Sequence, residues 1–181
     1  MPTTPLILQT INALDREAFV AELGFLFEGS PWIADETWPA RPFAGVDELH
    51  RALCATMDAA PIERKVALIR AHPDLAGRAA IVGELTPEST REQSSVGLDR
   101  LTPAEYADFT RLNEAYRDRF GFPFVICVRE HTRASILANF AARLRNDRDQ
   151  EIAAALDEIA KIARLRLLDL VRPATDGDQP R

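Results

Sequence analysis

The sequence predicts an all-α fold of about eight or nine helices joined by proline-rich ordered loops. Three observations carry that expectation. Apolar residues recur at spacings of three and four along most of the chain. Capping residues (Asp15, Asp47, Thr86, Thr102, Thr132 and Asp147) stand just ahead of those periodic stretches. Only one run, Phe122-Pro123-Phe124-Val125-Ile126-Cys127-Val128, has the β-branched content of a strand, and one strand cannot make a sheet.

Taken in order, Asp15 is expected to cap a helix carrying Phe19, Leu23, Leu26 and Phe27 and ending at Gly29. Ser30-Pro31-Trp32 and Trp38-Pro39-Ala40-Arg41-Pro42-Phe43 follow; their three prolines predict an ordered loop pinned by aromatics. Asp47 caps a helix to about Ala59, with Leu49, Leu53 and Met57 on one face. Pro61 suits the first turn of the next helix, which carries Val66, Leu68 and Ile69 into His72-Pro73. The proline disfavours helical dihedrals at His72, so His72 lies at a helix end. Asp74 is a candidate cap for a short helix through Ile81.

Thr86-Pro87-Glu88 opens another helix, and Thr102-Pro103-Ala104-Glu105 opens a longer one with a full capping box. That one runs to Phe120 and stops at Gly121, with Tyr106, Phe109, Leu112 and Tyr116 as its core stripe. The strand-like run follows. Its amide groups need partners: a ligand, or side chains and water within the core. Thr132 caps a helix with Ile136, Leu137 and Phe140. Asp147 caps the longest one, to about Val171, with Ile152, Leu156, Ile159, Ile162, Leu165 and Leu168 as its seam.

Length and composition bound the function. The 181 residues, 46% of them apolar, suffice for one domain with short tails: residues 1–7 as an N-terminal tail, 8–172 as the helical domain, and 173–181 as a disordered tail. A net charge of −6 argues against nucleic-acid binding. No apolar run is long enough to cross a bilayer and the N-terminus lacks a basic signal region, so no membrane partner is expected. Cys54 and Cys127 make no disulfide framework and are expected as small buried hydrophobes in a reducing compartment.

The chemistry concentrates between His72 and Gln93. His72 has three readings: metal ligand, helix-end cation and general acid/base. Metal ligation fits poorly, because His50 and His131 stand at no ligand spacing and no Cys or carboxylate cluster surrounds it. A helix C-terminus favours the histidine cation. An opposed histidine and glutamate form an acid/base pair that needs no metal. Glu92 read alone is a solvated helix carboxylate, but Ser89, Glu92 and Gln93 share one helix face that could line a cleft. Arg166 interrupts an apolar seam. It is either a snorkelling surface arginine or an inward clamp for carboxylate or carbonyl groups.

Read together, His72-Pro73-Asp74-Leu75-Ala76-Gly77, Glu88-Ser89-Thr90-Arg91-Glu92-Gln93, Val96-Gly97-Leu98 and Phe120-Gly121-Phe122-Pro123-Phe124-Val125-Ile126 resemble the 2-oxo-4-hydroxy-4-carboxy-5-ureidoimidazoline (OHCU) decarboxylases. Glu28-Gly29-Ser30-Pro31-Trp32, Arg41-Pro42-Phe43 and the last helix, with Lys161-Ile162 and Leu165-Arg166-Leu167, are similar to that family too. The likeness runs from about residue 8 to 171. It implies an all-helical, cofactor-free, homodimeric enzyme acting on OHCU, with allantoin as product, in the last step from urate to (S)-allantoin. It implies His72 as the catalytic proton donor/acceptor and Glu92 as its partner. It implies substrate contacts at Pro73, Ser89, Thr90, Arg91, Gln93, Phe124, Val125, Ile126, Cys127, Val128 and Arg166. Two departures stand out. Arg78 replaces a common lysine, and Gln179-Pro180-Arg181 is not a peroxisomal address, which favours a cytoplasmic enzyme of bacterial type.

A rival comes from another class. His-Pro-Asp is also the signature of J-domain co-chaperones, which bind a partner chaperone. There it follows a strongly basic helix in a domain of about half this size. Here residues 61–71 are only mildly basic.

Overall fold

The computed structural model describes residues 6–77, 80 and 83–171. Residues 1–5 of the expected N-terminal tail, the expected tail 173–181, and Arg78, Ala79 and Ile81 of the short helix expected to end at Ile81 lie outside them. Among the described residues there are nine α-helices and no strand: α1 (Leu8–Ala13), α2 (Arg16–Leu23), α3 (Trp32–Thr37), α4 (Val46–Ala59), α5 (Ile62–Ala71), α6 (Pro87–Ser95), α7 (Pro103–Phe120), α8 (Arg133–Arg143) and α9 (Arg148–Leu170). None is long and apolar enough to cross a membrane. The chain divides into two compact units. One holds the residues up to Pro61 and those from Ala160 onward; the other is Ile62–Ile159.

In the first unit Asp15 caps α2 by accepting from the Ala18 N–H at 2.8 Å. The helix gives way to a 3-10 turn at Gly24–Leu26, earlier than the expected end at Gly29. The proline-rich stretch is not all loop. Pro31 sits at the N-cap of α3, where its missing N–H costs no helical bond, and Ile33, Ala34 and Thr37 bury one face. Trp38–Ala40 then forms a 3-10 turn. Arg41 pins it by donating to Asn12 O at 2.9 Å, to Trp38 O at 2.9 Å and to Leu14 O at 2.5 Å. Asp47 does not cap α4, whose N-cap is Gly45; its carboxylate takes Arg164 at 2.6 Å instead. The Arg164 guanidinium holds the Asp47 carboxyl below the usual carboxylate range. Ile11, Phe19, Leu23, Ile33, Leu49 and Leu53 are fully buried.

In the second unit the Thr86, Thr102 and Thr132 caps all form, and Thr102 with Glu105 makes the full capping box. Gly121 ends α7 at φ 78, a left-handed position that suits glycine. Six aromatic side chains (Phe109, Tyr116, Phe120, Phe122, Phe124 and Phe140) cluster in the core of this unit. Phe124 stacks on Phe140 with centroids 3.7 Å apart. Tyr116 lies edge-on to Phe122, Phe124 and Phe140. Tyr106, expected in the same stripe, is only half-buried. The strand-like run is a strap with no strand partner among the described residues, and it ends in a 3-10 turn at Val128–Glu130.

Candidate active site

His72 lies one residue past α5 and is 6% exposed. Its Nδ1 is 3.0 Å from the Leu68 carbonyl oxygen. A carbonyl only accepts, so Nδ1 carries the proton and the lone pair of the neutral ring sits on Nε2. Pro73 is half-buried beside it. The turn that follows is tied to α6 and α7. Gln93 on α6 accepts the Ala76 N–H at 2.9 Å through Oε1 and donates to Asp74 O at 3.3 Å through Nε2. Asn113 on α7 donates to Leu75 O at 2.8 Å. Arg117, one helical turn later, donates to both Asp74 carboxylate oxygens at 2.9 and 3.1 Å.

Asp74 is therefore an ion-pair partner of Arg117. Asn113 and Arg117 are partners of the turn after His72 that the motif reading missed. Their four-residue spacing was the available signal, since it puts two polar side chains on one face of an otherwise core-building helix.

Helix α6 also packs against the 3-10 turn at the end of the strap. On it, Ser89 and Gln93 are buried and Glu92 is half-buried, the shared face that their spacing predicts. Thr90 and Arg91 are exposed: Thr90 Oγ1 donates to Thr86 O at 2.9 Å, and Arg91 reaches Glu88 at 3.4 Å. A cavity of about 600 Å³ flanks α6; its lining includes Ala76, Thr90, Gln93, Leu98 and Tyr106.

The strap carries Phe124, Val125, Ile126, Cys127 and Val128, all at most 5% exposed. Two of its backbone groups are taken by side chains of the same unit. Cys127 donates its N–H to Glu158 at 2.8 Å, and Val125 O accepts from Arg143 at 2.7 Å. Burial pushes the Cys127 thiol up to about 11, helped by the carboxylates of Glu130, Glu158 and Glu92. Glu92 is thus electrostatically close to the strap. Behind it, Arg143 lies 4.4 Å from the Phe124 ring centroid and 3.0 Å from Glu151. Glu151 is fully buried and also accepts from the Tyr116 hydroxyl and from Asn146 Nδ2.

In the first unit Arg166 is 4% exposed, which settles its orientation as inward. Its Nη1 is 3.0 Å from Glu28 Oε2 and 3.2 Å from Phe25 O. Leu168, expected in the seam, is 45% exposed, whereas Ala163, Arg166, Leu167 and Leu170 are buried. Arg166 occupies a seam position at three- and four-residue spacing from Ala163 and Leu170, and its charge is matched by the buried Glu28 carboxylate. Among the described residues no group of three or more His, Cys, Asp or Glu is placed to hold a metal ion.

Comparison with known proteins bears on the whole of this arrangement. The OHCU decarboxylase family profile matches residues 12–168. A 2-oxo-4-hydroxy-4-carboxy-5-ureidoimidazoline decarboxylase of Halalkalicoccus jeotgali is 42% identical over 176 residues, covering 97% of each chain. The crystal structure of an (S)-allantoin synthase superposes with a TM-score of 0.73 at 28% identity, covering 93% of this chain and 54% of that one. An OHCU decarboxylase crystallised in the presence of (S)-allantoin shares the fold, with a TM-score of 0.66 at 22% identity over 87% of this chain and 98% of its own. A match of this extent, through both units and every motif from His72 to Arg166, makes the chain a member of the OHCU decarboxylase family.

Proposed function

We propose that this protein decarboxylates OHCU to (S)-allantoin in urate degradation, without a cofactor, with His72 as proton donor/acceptor and Glu92 as its partner. Family membership across residues 12–168 is the observation that carries the reaction, and it displaces the co-chaperone reading of His72-Pro73-Asp74. The buried His72 ring, with its Nδ1–H fixed on Leu68, supports the role of His72.

The chemistry needs little from the protein. The carboxylate leaves from a carbon next to a C=N bond, so its electron pair flows into the ring as CO2 departs. What remains is to orient the substrate, to take the hydroxyl proton and to return a proton to one face of the neighbouring carbon. His72 Nε2 is suited to the proton transfers, and the half-buried Glu92 carboxylate is suited to holding the imidazolium form. We assign substrate contacts to Pro73, to Ser89 and to the peptide groups of the strap that side chains do not already occupy. Arg166 is the cation assigned to substrate binding, held rigid by Glu28. Thr90, which lines the cavity beside α6, and the exposed Arg91 are further contacts that the family resemblance supports. The family resemblance also supports a cytoplasmic homodimer; sedimentation equilibrium of the purified chain tests the dimer, and fractionation of the host cell tests the location.

The central test follows the decay of freshly generated OHCU by time-resolved circular dichroism. Wild type is expected to give an excess of (S)-allantoin. His72→Ala is expected to lose on the order of 10² to 10⁴ in rate and to return the racemate of the spontaneous route. Near-wild-type formation of (S)-allantoin by His72→Ala would refute the acid/base role.

A further inference from the structure

The turn after His72-Pro73 is held under strain. Ala76 sits at φ +49, in the left-handed region that a side chain with a Cβ normally avoids. The next residue has no room either: a Cβ at Gly77 would meet the Asp74 Cβ at 2.8 Å. Strained backbone persists only where its surroundings over-determine it. Here three side chains do so: Gln93 on Ala76 N–H and Asp74 O, Arg117 on the Asp74 carboxylate, and Asn113 on Leu75 O.

Asn113 is the most informative of the three. It is 5% exposed, and only its Nδ2 is used; Oδ1 is buried and meets no hydrogen-bond partner among the described residues. A buried acceptor left unpaired costs at least as much as one neutral hydrogen bond returns. Leucine would fill a similar volume and remove the unpaired Oδ1, but it would leave the buried Leu75 carbonyl without its donor, so the two costs roughly offset and the net gain in stability from asparagine is small. What Asn113 supplies that leucine cannot is a grip on the Leu75 carbonyl.

We propose that Asn113 is a positioning residue for His72, gripping the Leu75 carbonyl to hold the 74–77 turn in its strained form and so fix the imidazole at the end of α5. The inference rests on the reading of His72 given above. Proton transfer demands hydrogen-bond reach of about 2.6 to 3.2 Å, and small displacements of the acting group reduce the chemical step with little effect on binding.

The experiment measures kcat, KM and melting temperature for the full chain with freshly generated OHCU. Asn113→Leu is expected to lower kcat at least tenfold, to leave KM within threefold, and to remain folded. The second variant adds Ala76→Gly. Glycine takes the left-handed conformation at little cost, so the turn keeps its shape without the grip, and kcat is expected to recover at least threefold over Asn113→Leu. A merely structural asparagine predicts no such recovery. Wild-type kcat in Asn113→Leu, or a loss that Ala76→Gly does not relieve, would overturn the positioning role while leaving His72 in place. If His72→Ala itself still forms (S)-allantoin, the reading of His72 fails and the positioning role falls with it.

Discussion

Replacing Glu151 by alanine removes a carboxylate that is fully buried and serves three donors: the Tyr116 hydroxyl, Asn146 Nδ2 at 2.7 Å and Arg143 Nε at 3.0 Å. Arg143 is itself buried, 9% exposed, and its guanidinium stays behind, against the neutral Val125 carbonyl and the Phe124 ring. Hydrogen bonds to a charged group are each worth about 1.5 to 3 kcal/mol. They are not additive here, because all three share one carboxylate. Breaking a buried ion pair from one side costs roughly 3 to 5 kcal/mol, since the stranded charge must be solvated or neutralised. For a chain of this length each kcal/mol lowers Tm by about 2 to 4 °C, so Glu151→Ala should melt roughly 6 to 20 °C below wild type. Differential scanning calorimetry reads this directly. The double variant Arg143→Met, Glu151→Leu supplies the control: with no charge left to strand, it should recover much of the loss. A Tm fall under about 2 °C in Glu151→Ala, or strictly additive single and double variants, would refute the account of the network.

Tyr116 gives the same network a pH signature. Burial, and then its hydrogen bond to Glu151, raise the phenol above its ordinary value. The unfolded chain therefore loses this proton first, from about pH 10, and stability should fall as pH rises beyond that point. Urea melts at pH 9 and pH 11 should show a shallower loss in Tyr116→Phe than in wild type; equal slopes would exclude Tyr116 as the cause. Burial pushes both thiols, Cys54 and Cys127, up to about 11. At pH 8 neither should take up iodoacetamide in the native protein, whereas both should in urea, as mass spectrometry of the alkylated chain will show. Arg166→Lys keeps the charge but loses the planar fork, so calorimetric affinity for allantoin should drop. Unchanged affinity would remove Arg166 from the binding residues.

Much of the fold was legible because its signals are local. Asp15, Thr86, Thr102, Thr132 and Asp147 each cap the helix they precede, since capping needs only a short polar side chain and the backbone three residues on. Helix α3 escaped because proline counts against helix in general, whereas Pro31 falls where the helix has no bond to lose. Asp47 misled for the converse reason: it has the chemistry of a cap, but Arg164, distant in sequence, claims its carboxylate. In the last helix the apolar pattern favoured Leu168 over Arg166. The buried Glu28, whose effect no helical period reveals, reverses that choice. The site divides along the same line. His72 at a helix end and the shared face of Ser89, Glu92 and Gln93 follow from spacing. The grips of Gln93, Asn113 and Arg117 on the 74–77 turn, and of Arg143 and Glu158 on the strap, depend on tertiary contacts that spacing does not encode.

The strap has a practical consequence for anyone diversifying this enzyme. Every side chain from Phe124 to Val128 is turned into the core, so a small molecule lying along it meets peptide groups and little else. Codon randomisation at 124–128 would mostly sample thermal tolerance, with winners and losers separated by soluble yield. Substrate panels would barely distinguish the survivors. The same stretch is better used as a sensor. The Cys127 amide, held by Glu158, exchanges with solvent when that hydrogen bond opens, so deuterium uptake there would report local opening without any label being attached.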